Sequence, residues 1–125
     1  MINREKIIQN YIEGYNRFEM DKMVADFDDN IVFENIQNDQ TNMSLKGLIA
    51  FRQQAEQATT YFTTRKQTIR SFKHFDNSTE IEIDYHAVLA MDFPNGLKKG
   101  QELNLLGKSI FVFEKDRIIK LTDVT

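Results

Sequence analysis

The residue best suited to chemistry in this sequence is Asp123, which ends an alternating apolar pattern. Ile119 and Leu121 precede it at two-residue spacing, so in a β-strand all three side chains share one face. We expect that face to point inward, where burial without a cationic partner raises the pKa of a carboxyl group. A carboxyl group tuned in this way can shuttle a proton near neutral pH. The alternative is a solvated side chain close to the end of the sequence, or one that pairs with Arg52.

Three tyrosines and Arg52 are further candidates. Tyr11, Tyr15 and Tyr85 could donate a hydroxyl hydrogen bond to a carbonyl or enolate oxygen. The alternative is that they are core rings with one satisfied hydroxyl group. Arg52, at the edge of an apolar helical stripe, could bind an acidic ligand, or it could pair with a buried carboxylate or with carbonyl groups.

Several classes of site are not indicated. The sequence has no cysteine, which excludes disulfides and thiolate catalysis. Its two histidines, His74 and His86, lack the spacing of metal ligands. The sequence contains no glycine-rich phosphate-binding loop. It also offers no catalytic triad of a nucleophile, a base and a residue that orients the base. We therefore expect no metal and no cofactor.

The composition is that of an ordinary globular protein. The 125 residues are 41% hydrophobic and 28% charged, which predicts one domain over residues 1–125. The net charge of −3 provides no strong field for nucleic acid or an anionic membrane. The longest apolar run, residues 87–91, is too short to span a membrane, and no signal peptide is visible. We expect a soluble cytoplasmic protein without a nucleic-acid or membrane partner.

Hydrophobic periodicity predicts three helices followed by long strands. Apolar residues spaced at i, i+3, i+4 and i+7 predict the helices, and Asn3 can cap the first one. Strict alternation predicts the strands. The predicted helices cover residues 3–16, 20–27 and 48–62; the strands cover 31–35, 65–75, 80–91, 103–114 and 118–123, with a turn at 28–30 and a polar surface loop at 37–44.

The predicted sheet has two apolar faces, of which the helices can cover only one. A second copy of the chain is the simplest cover for the other, so we expect a homodimer through the outer sheet face. The alternative is a tightly curled sheet in which these residues contact one another. The outward apolar residues are Val88, Ala90, Leu106, Ile110 and Val112.

Four segments carry a family resemblance: residues 11–16, 29–35 and 47–52, and the hairpin from 109–113 to 118–123. With them the chain resembles the nuclear transport factor 2-like superfamily, in its branch of SnoaL-like polyketide cyclases and ketosteroid isomerases. The resemblance covers nearly the whole chain, as a single SnoaL-like domain. It implies an α+β, cystatin-like fold: a cone-shaped, curved antiparallel β-sheet wrapped around three N-terminal helices, with a pocket at its open end.

The resemblance also implies which side chains face the pocket. Tyr11 matches the tyrosine of the ketosteroid isomerases, but Asn35 stands in place of their proton-shuttling carboxylate and Ser109 in place of their second carboxyl group. The steroid-isomerase mechanism is therefore not expected. The implied inward residues are Tyr11, Tyr15, Phe33, Asn35, Tyr85, Ser109, Phe111 and Asp123, and Phe51 and Arg52 are further candidates for contact with a ligand.

The expected function is binding of a small, mostly apolar molecule in this pocket. One hypothesis is cofactor-free acid–base chemistry of the isomerase, cyclase or hydrolase type, with Asp123 as the base and Tyr11 or Asn35 polarising the substrate. The alternatives are a non-catalytic ligand-binding module and a protein-interaction module of the same fold.

Overall fold

Helices and strands follow one another in the computed structural model, which describes residues 3–125. The three helices are α1 (Arg4–Asn16), α2 (Met20–Met23) and α3 (Leu48–Thr59). The six strands are β1 (Phe27–Gln37), β2 (Gln40–Lys46), β3 (Phe62–His74), β4 (Ser78–Leu89), β5 (Glu102–Glu114) and β6 (Arg117–Val124).

Helix α1 begins at the predicted cap. The Asn3 side chain accepts a hydrogen bond from the Lys6 backbone N–H at 3.1 Å, which satisfies a free amide of the first turn. Near the other end, Gly14 lets α2 approach closely, because a Cβ there would lie 2.7 Å from the backbone nitrogen of Met23. The pair α1–α2 therefore depends on the absence of a side chain at one position.

Helix α2 is shorter than predicted. The predicted helix reached Phe27, but α2 ends at Met23 and Phe27 opens β1. The Phe27 ring is buried, stacks on Tyr11 with 5.5 Å between ring centroids, and lies 4.9 Å from the Phe51 centroid. A strand thus delivers this ring to the core, and so short an apolar pattern does not distinguish the two conformations.

The sheet is mixed, with strand order β2-β1-β6-β5-β4-β3. Within the described residues, β1 and β6 pair in parallel, with Asn35 opposite Asp123, and the other neighbouring strands pair antiparallel. The predicted α+β fold, a curved sheet packed on three helices, is confirmed. The prediction of a purely antiparallel sheet was wrong for the pair β1–β6. The last strand, β6, follows all the other elements in the chain and lies beside the first strand, β1. Alternation of apolar residues does not show whether two such strands pair in parallel or antiparallel.

An edge strand replaces the predicted surface loop. Residues 37–44 were predicted as a loop, but β2 spans most of them and pairs Met43 with Asn35 and Leu45 with Phe33. Met43 and Leu45 are half-buried, while the polar residues around them are exposed, as is common on an edge strand. The loop prediction was wrong because edge strands carry polar residues that are also typical of loops.

The predicted turn at residues 28–30 lies inside β1. The Asp28 side chain accepts a hydrogen bond from the Asn30 backbone N–H at 2.8 Å, as in an Asx turn. The register between β1 and β6 shifts over the same stretch, between Phe27 and Val32. The turn residues therefore mark an irregularity within the strand and not its boundary.

The two faces of the sheet differ in burial. Ile81, Phe111 and Leu121 are fully buried on the inner face, beneath the helices. On the outer face Leu106 is 67% exposed, and its strand neighbours Ile110 and Val112 are half-buried.

No helix among residues 3–125 combines the length and the apolar character that a membrane crossing requires.

Candidate functional site

Two adjoining cavities lie between the inner face of the sheet and the helices. The first has a volume of about 180 Å³, and the second has a volume of about 140 Å³. Tyr15, Asn35 and Asp123 line both of them and so form the boundary between them. Together they make a double cavity with these three polar side chains at its centre. The first cavity is lined on its apolar side by Met43, Leu45, Phe51, Ala55 and Ala58.

Asp123 is positioned by both neighbours of β6. It lies opposite Asn35 of β1 and opposite Ser109 of β5, and the Ser109 hydroxyl donates a 2.7 Å hydrogen bond to Asp123 Oδ1. Burial raises the pKa of the carboxyl group from 3.8 to about 6, against the opposing effect of the Ser109 hydrogen bond. Both protonation states are therefore accessible near neutral pH, as proton transfer requires.

The tyrosines supply neutral hydroxyl groups beside this carboxyl group. The hydroxyl oxygens of Tyr15 and Tyr85 lie 2.9 Å apart, within hydrogen-bond distance. Burial raises the pKa of both side chains, as it does for Tyr11, whose pKa is raised further by the charge of Asp123. All three remain protonated at neutral pH and can act as hydrogen-bond donors.

Asn35 joins the site through its amide group. Its Nδ2 donates a 2.8 Å hydrogen bond to Oδ1 of Asn42, whose own Nδ2 donates to Oε1 of Gln37 at 3.1 Å. This chain of amides fixes the orientation of Asn35, which lies opposite Asp123 on the neighbouring strand. Because an amide nitrogen carries two hydrogens, Asn35 retains one that a ligand could accept.

Arg65 is a cavity residue that the sequence reasoning missed. It lies on β3, lines the first cavity and is only 4% exposed. Its Nε donates to the Tyr15 backbone carbonyl at 2.9 Å, and its guanidinium carbon lies 3.7 Å from the Tyr15 ring centroid and 4.5 Å from that of Phe18. Its Nη2 is buried and finds no hydrogen-bond partner among residues 3–125. The sequence held one indication of this position. In a strand, Arg65 and the buried Gln67 point to the same face, and the residues that alternate with them are exposed.

The structure brings most of the predicted site residues to the double cavity. Tyr11, Phe33 and Phe51 line the first cavity, while Tyr85 and Ser109 line the second. Together with Tyr15, Asn35 and Asp123, these residues come from α1, α3 and four of the strands. The site is thus assembled from segments far apart in the chain.

Two predicted ligand contacts, Arg52 and Phe111, lie elsewhere. Arg52 pairs at the surface with Asp21 and, at 3.3 Å, with Glu56. It therefore serves to tie α3 to α2 and does not reach either cavity. Phe111 is fully buried in the core, with its ring centroid 5.6 Å from that of Tyr11, so it supports the cavity wall from behind.

A metal centre is not formed by the described part of the chain. Within residues 3–125, no group of three or more histidine, aspartate or glutamate side chains is arranged to hold a metal ion. The double cavity instead offers a ligand the Asp123 carboxyl group, the Arg65 guanidinium group and several neutral phenol, hydroxyl and amide groups.

Solved structures match this architecture over almost the whole chain. A protein from Jannaschia sp. CCS1, assigned as a SnoaL-like polyketide cyclase, is similar with a TM-score of 0.81 and 8% identity, covering 95% of this chain and 82% of that one. A protein from Xanthomonas campestris, assigned as a polyketide cyclase, has a TM-score of 0.77 and 20% identity, covering 97% and 88% of the two chains. A ketosteroid isomerase-like protein from Catenulispora acidiphila, in complex with trimethylamine, has a TM-score of 0.76 and 9% identity, covering 94% and 83%.

These similarities show the fold of this protein, which is nuclear transport factor 2-like, or cystatin-like. The resemblance predicted from the sequence is confirmed at that level, with SnoaL-like proteins among the similar structures. The sequence matches no family model and no curated protein.

Proposed function

We propose that this protein binds a small, mostly apolar molecule in the double cavity and transfers a proton on it, with Asp123 as the general base. The reaction is of the isomerase, cyclase or hydrolase type and uses no cofactor. Structures assigned as polyketide cyclases share the fold, which is compatible with this class of chemistry.

The observation that carries the proposal is the placement of Asp123. Its carboxyl group lies at the boundary of two mostly apolar cavities, held by Ser109, and burial raises its pKa to about 6. Apolar walls with a few convergent polar groups are the usual composition of a small-molecule site. A carboxyl group with a perturbed pKa in such a site is a candidate for proton transfer.

The proposed step is removal of a proton from a carbon next to a carbonyl group. The C–H bond breaks, the proton moves to the Asp123 carboxylate, and the electron pair shifts onto the carbonyl oxygen to form an enolate. A neutral tyrosine hydroxyl or the Asn35 amide donates a hydrogen bond to that oxygen as its charge grows. Protonated Asp123 then returns the proton to the same or another atom, so the residue is regenerated.

A non-catalytic binding module is the second candidate, and two hydrogen bonds within the site favour it. The Tyr15 and Tyr85 hydroxyls lie within hydrogen-bond distance of each other, and Ser109 satisfies one oxygen of Asp123. Buried polar groups need such hydrogen bonds for stability alone, so these pairs are expected in a cavity that binds a ligand without reacting with it.

Deuterium exchange into a simple ketone separates the two candidates. We suggest 2-tetralone, an apolar ketone with acidic hydrogens, incubated with the protein in D₂O and followed by proton NMR. General base catalysis is expected to accelerate exchange by about 10²- to 10⁴-fold, with a rate that rises through about pH 6. The variant Asp123→Asn should lose the acceleration.

The control is Asp84→Asn, since the exposed Asp84 side chain lies 3.9 Å from Arg70 and away from the cavities. This variant should behave like the wild type. Binding of the ketone without accelerated exchange would instead support the binding module.

We also propose that two copies associate through the outer sheet face. The apolar side chains of Leu106, Ile110 and Val112 lie on one strand of that face. Ion pairs flank them, from Lys108 to Glu80 at 3.8 Å and from Lys120 to Glu34 at 3.2 Å. An apolar strip with polar edges is typical of a surface that a second copy covers.

A further inference from the structure

The starting observation is a buried cation with no anionic partner. Arg65 is 4% exposed, and its guanidinium group makes one hydrogen bond within the described residues, from Nε to the Tyr15 carbonyl. No carboxylate of residues 3–125 forms an ion pair with it, although surface arginines such as Arg52 do have such partners. Burial of a charge is costly unless it is paired, so this arrangement requires an explanation.

Aromatic rings offset only part of the cost of burying this charge. The rings of Tyr15 and Phe18 lie 3.7 Å and 4.5 Å from the guanidinium carbon and stabilise it through their π faces. They cannot accept hydrogen bonds in the guanidinium plane, where Nη2 has no partner in the described part of the chain. The in-plane N–H groups of a guanidinium match the two oxygens of a carboxylate.

The carboxyl group that shares the first cavity does not fill this position. Asp123 accepts its hydrogen bond from Ser109 on the neighbouring strand and forms no ion pair with Arg65. The other polar side chains of the first cavity, such as Gln54 and Asn35, are neutral. The first cavity therefore combines apolar walls with a guanidinium group that no carboxylate of residues 3–125 contacts.

We infer that the ligand of the double cavity is a small carboxylate, an apolar body of one or two rings whose carboxylate group pairs with Arg65. This inference rests on the proposed function, in which the cavity binds a small molecule. The size follows from the first cavity volume of about 180 Å³, since a cavity of about 150 Å³ accommodates benzene. The second cavity would take the part of the ligand that extends past Asp123.

Matched pairs of carboxylates and amides test the inference. The probes are trans-cinnamate with cinnamamide and 2-naphthoate with 2-naphthamide, titrated at about pH 7 into ¹⁵N-labelled protein. A hydrogen bond to a charged group predicts about 10- to 100-fold tighter binding of each carboxylate than of its amide. The Nε–H resonance of Arg65 should shift with the carboxylates, because the neighbouring nitrogens of the same group would bind them.

Two variants assign the preference to one residue. Arg65→Met should reduce the ratio of carboxylate affinity to amide affinity to about one. Arg70→Met removes the same charge from an exposed position on the same strand and should keep the wild-type ratio. If Arg65→Met does not fold, a crystal structure of the wild-type protein with 2-naphthoate gives the answer, since the carboxylate oxygens must lie within hydrogen-bond distance of Arg65.

The outcomes separate this inference from the proposal on which it rests. Equal binding of carboxylates and amides, or a carboxylate seated away from Arg65, would overturn the inference while leaving a small-molecule cavity intact. Failure of every probe to bind at millimolar concentration would overturn both. A preference that disappears in Arg65→Met and persists in Arg70→Met would establish the pairing, whatever the result of the deuterium-exchange experiment.

Discussion

Replacing Asp123 by asparagine is the most informative perturbation of this protein, because it removes a proton site and changes little else. The asparagine side chain keeps an oxygen that can accept the Ser109 hydrogen bond now made to Oδ1 of the aspartate. Burial raises the pKa of Asp123 from 3.8 to about 6, and each pKa unit corresponds to about 1.4 kcal/mol. The ionised carboxylate therefore costs the folded state about 3 kcal/mol.

The sign of the pH dependence follows from the direction of the shift. Since the folded pKa lies above the unfolded one, the folded protein holds the proton more tightly than the unfolded chain does. The contribution of Asp123 to stability is complete below 3.8 and is lost as the pH rises through about 6. Asp123→Asn has no such loss, so its stability relative to wild type should increase by about 2.5 kcal/mol between about pH 4 and about pH 7.5.

Urea denaturation of both proteins across this pH range measures the difference directly. Effects of all other carboxyl groups cancel in the comparison, and an NMR titration of the Asp123 side-chain carbon gives the folded pKa independently. Asp84→Asn is the control and should change stability by less than about 0.5 kcal/mol at every pH, because Asp84 is exposed. A stability difference that does not vary with pH, or an Asp123→Asn variant less stable than wild type at neutral pH, would contradict the raised pKa of Asp123.

Three further substitutions test the packing of the fold and its association. Gly14→Ala should destabilise the protein by about 1–3 kcal/mol in urea denaturation, because the new Cβ would collide with the α2 backbone, whereas Gln9→Ala on the exposed side of α1 should be nearly neutral. Tyr85→Phe should cost about 1 kcal/mol through loss of the 2.9 Å contact with the Tyr15 hydroxyl, and an unchanged midpoint would show that this bond is not formed in solution. Ile110→Glu should separate the proposed dimer in light scattering, and a wild-type protein that is already monomeric at micromolar concentration would contradict the dimer.

Local periodicity predicted the elements that depend on local physics. The cap at Asn3 and the apolar stripe of α1 can be recognised because both arise from interactions within a few residues. The inward orientation of Asp123 could be predicted from Leu121, which shares its face and is fully buried. Ile119 was expected to be buried on the same face, but a register shift in the β5–β6 hairpin buries Ile118 instead.

The features that could not be predicted depend on irregular or distant pairing. The inward position of Arg65 follows from its alternation with Gln67, but a register shift between Ile69 and Ser71 interrupts that alternation along β3. Parallel pairing of β1 with β6 joins segments separated by most of the chain, and it places Asn35 beside Asp123. Site residues that meet only through such pairing leave no spacing pattern in the sequence.

Arg65 and Asp123, the two charged groups of the first cavity, act in opposite directions on the binding of an anion. Arg65 carries a positive charge at any physiological pH, whereas Asp123 gains its negative charge only as the pH rises past about 6. Below that pH the cavity attracts an anion through Arg65 alone; above it, the Asp123 carboxylate opposes the same anion. Since linkage is reciprocal, a bound carboxylate must in turn favour the protonated form of Asp123 and raise its pKa further. An anionic substrate would thus oppose ionisation of the general base, so removal of a proton from a carboxylate substrate should require a higher pH than removal of a proton from a neutral ketone.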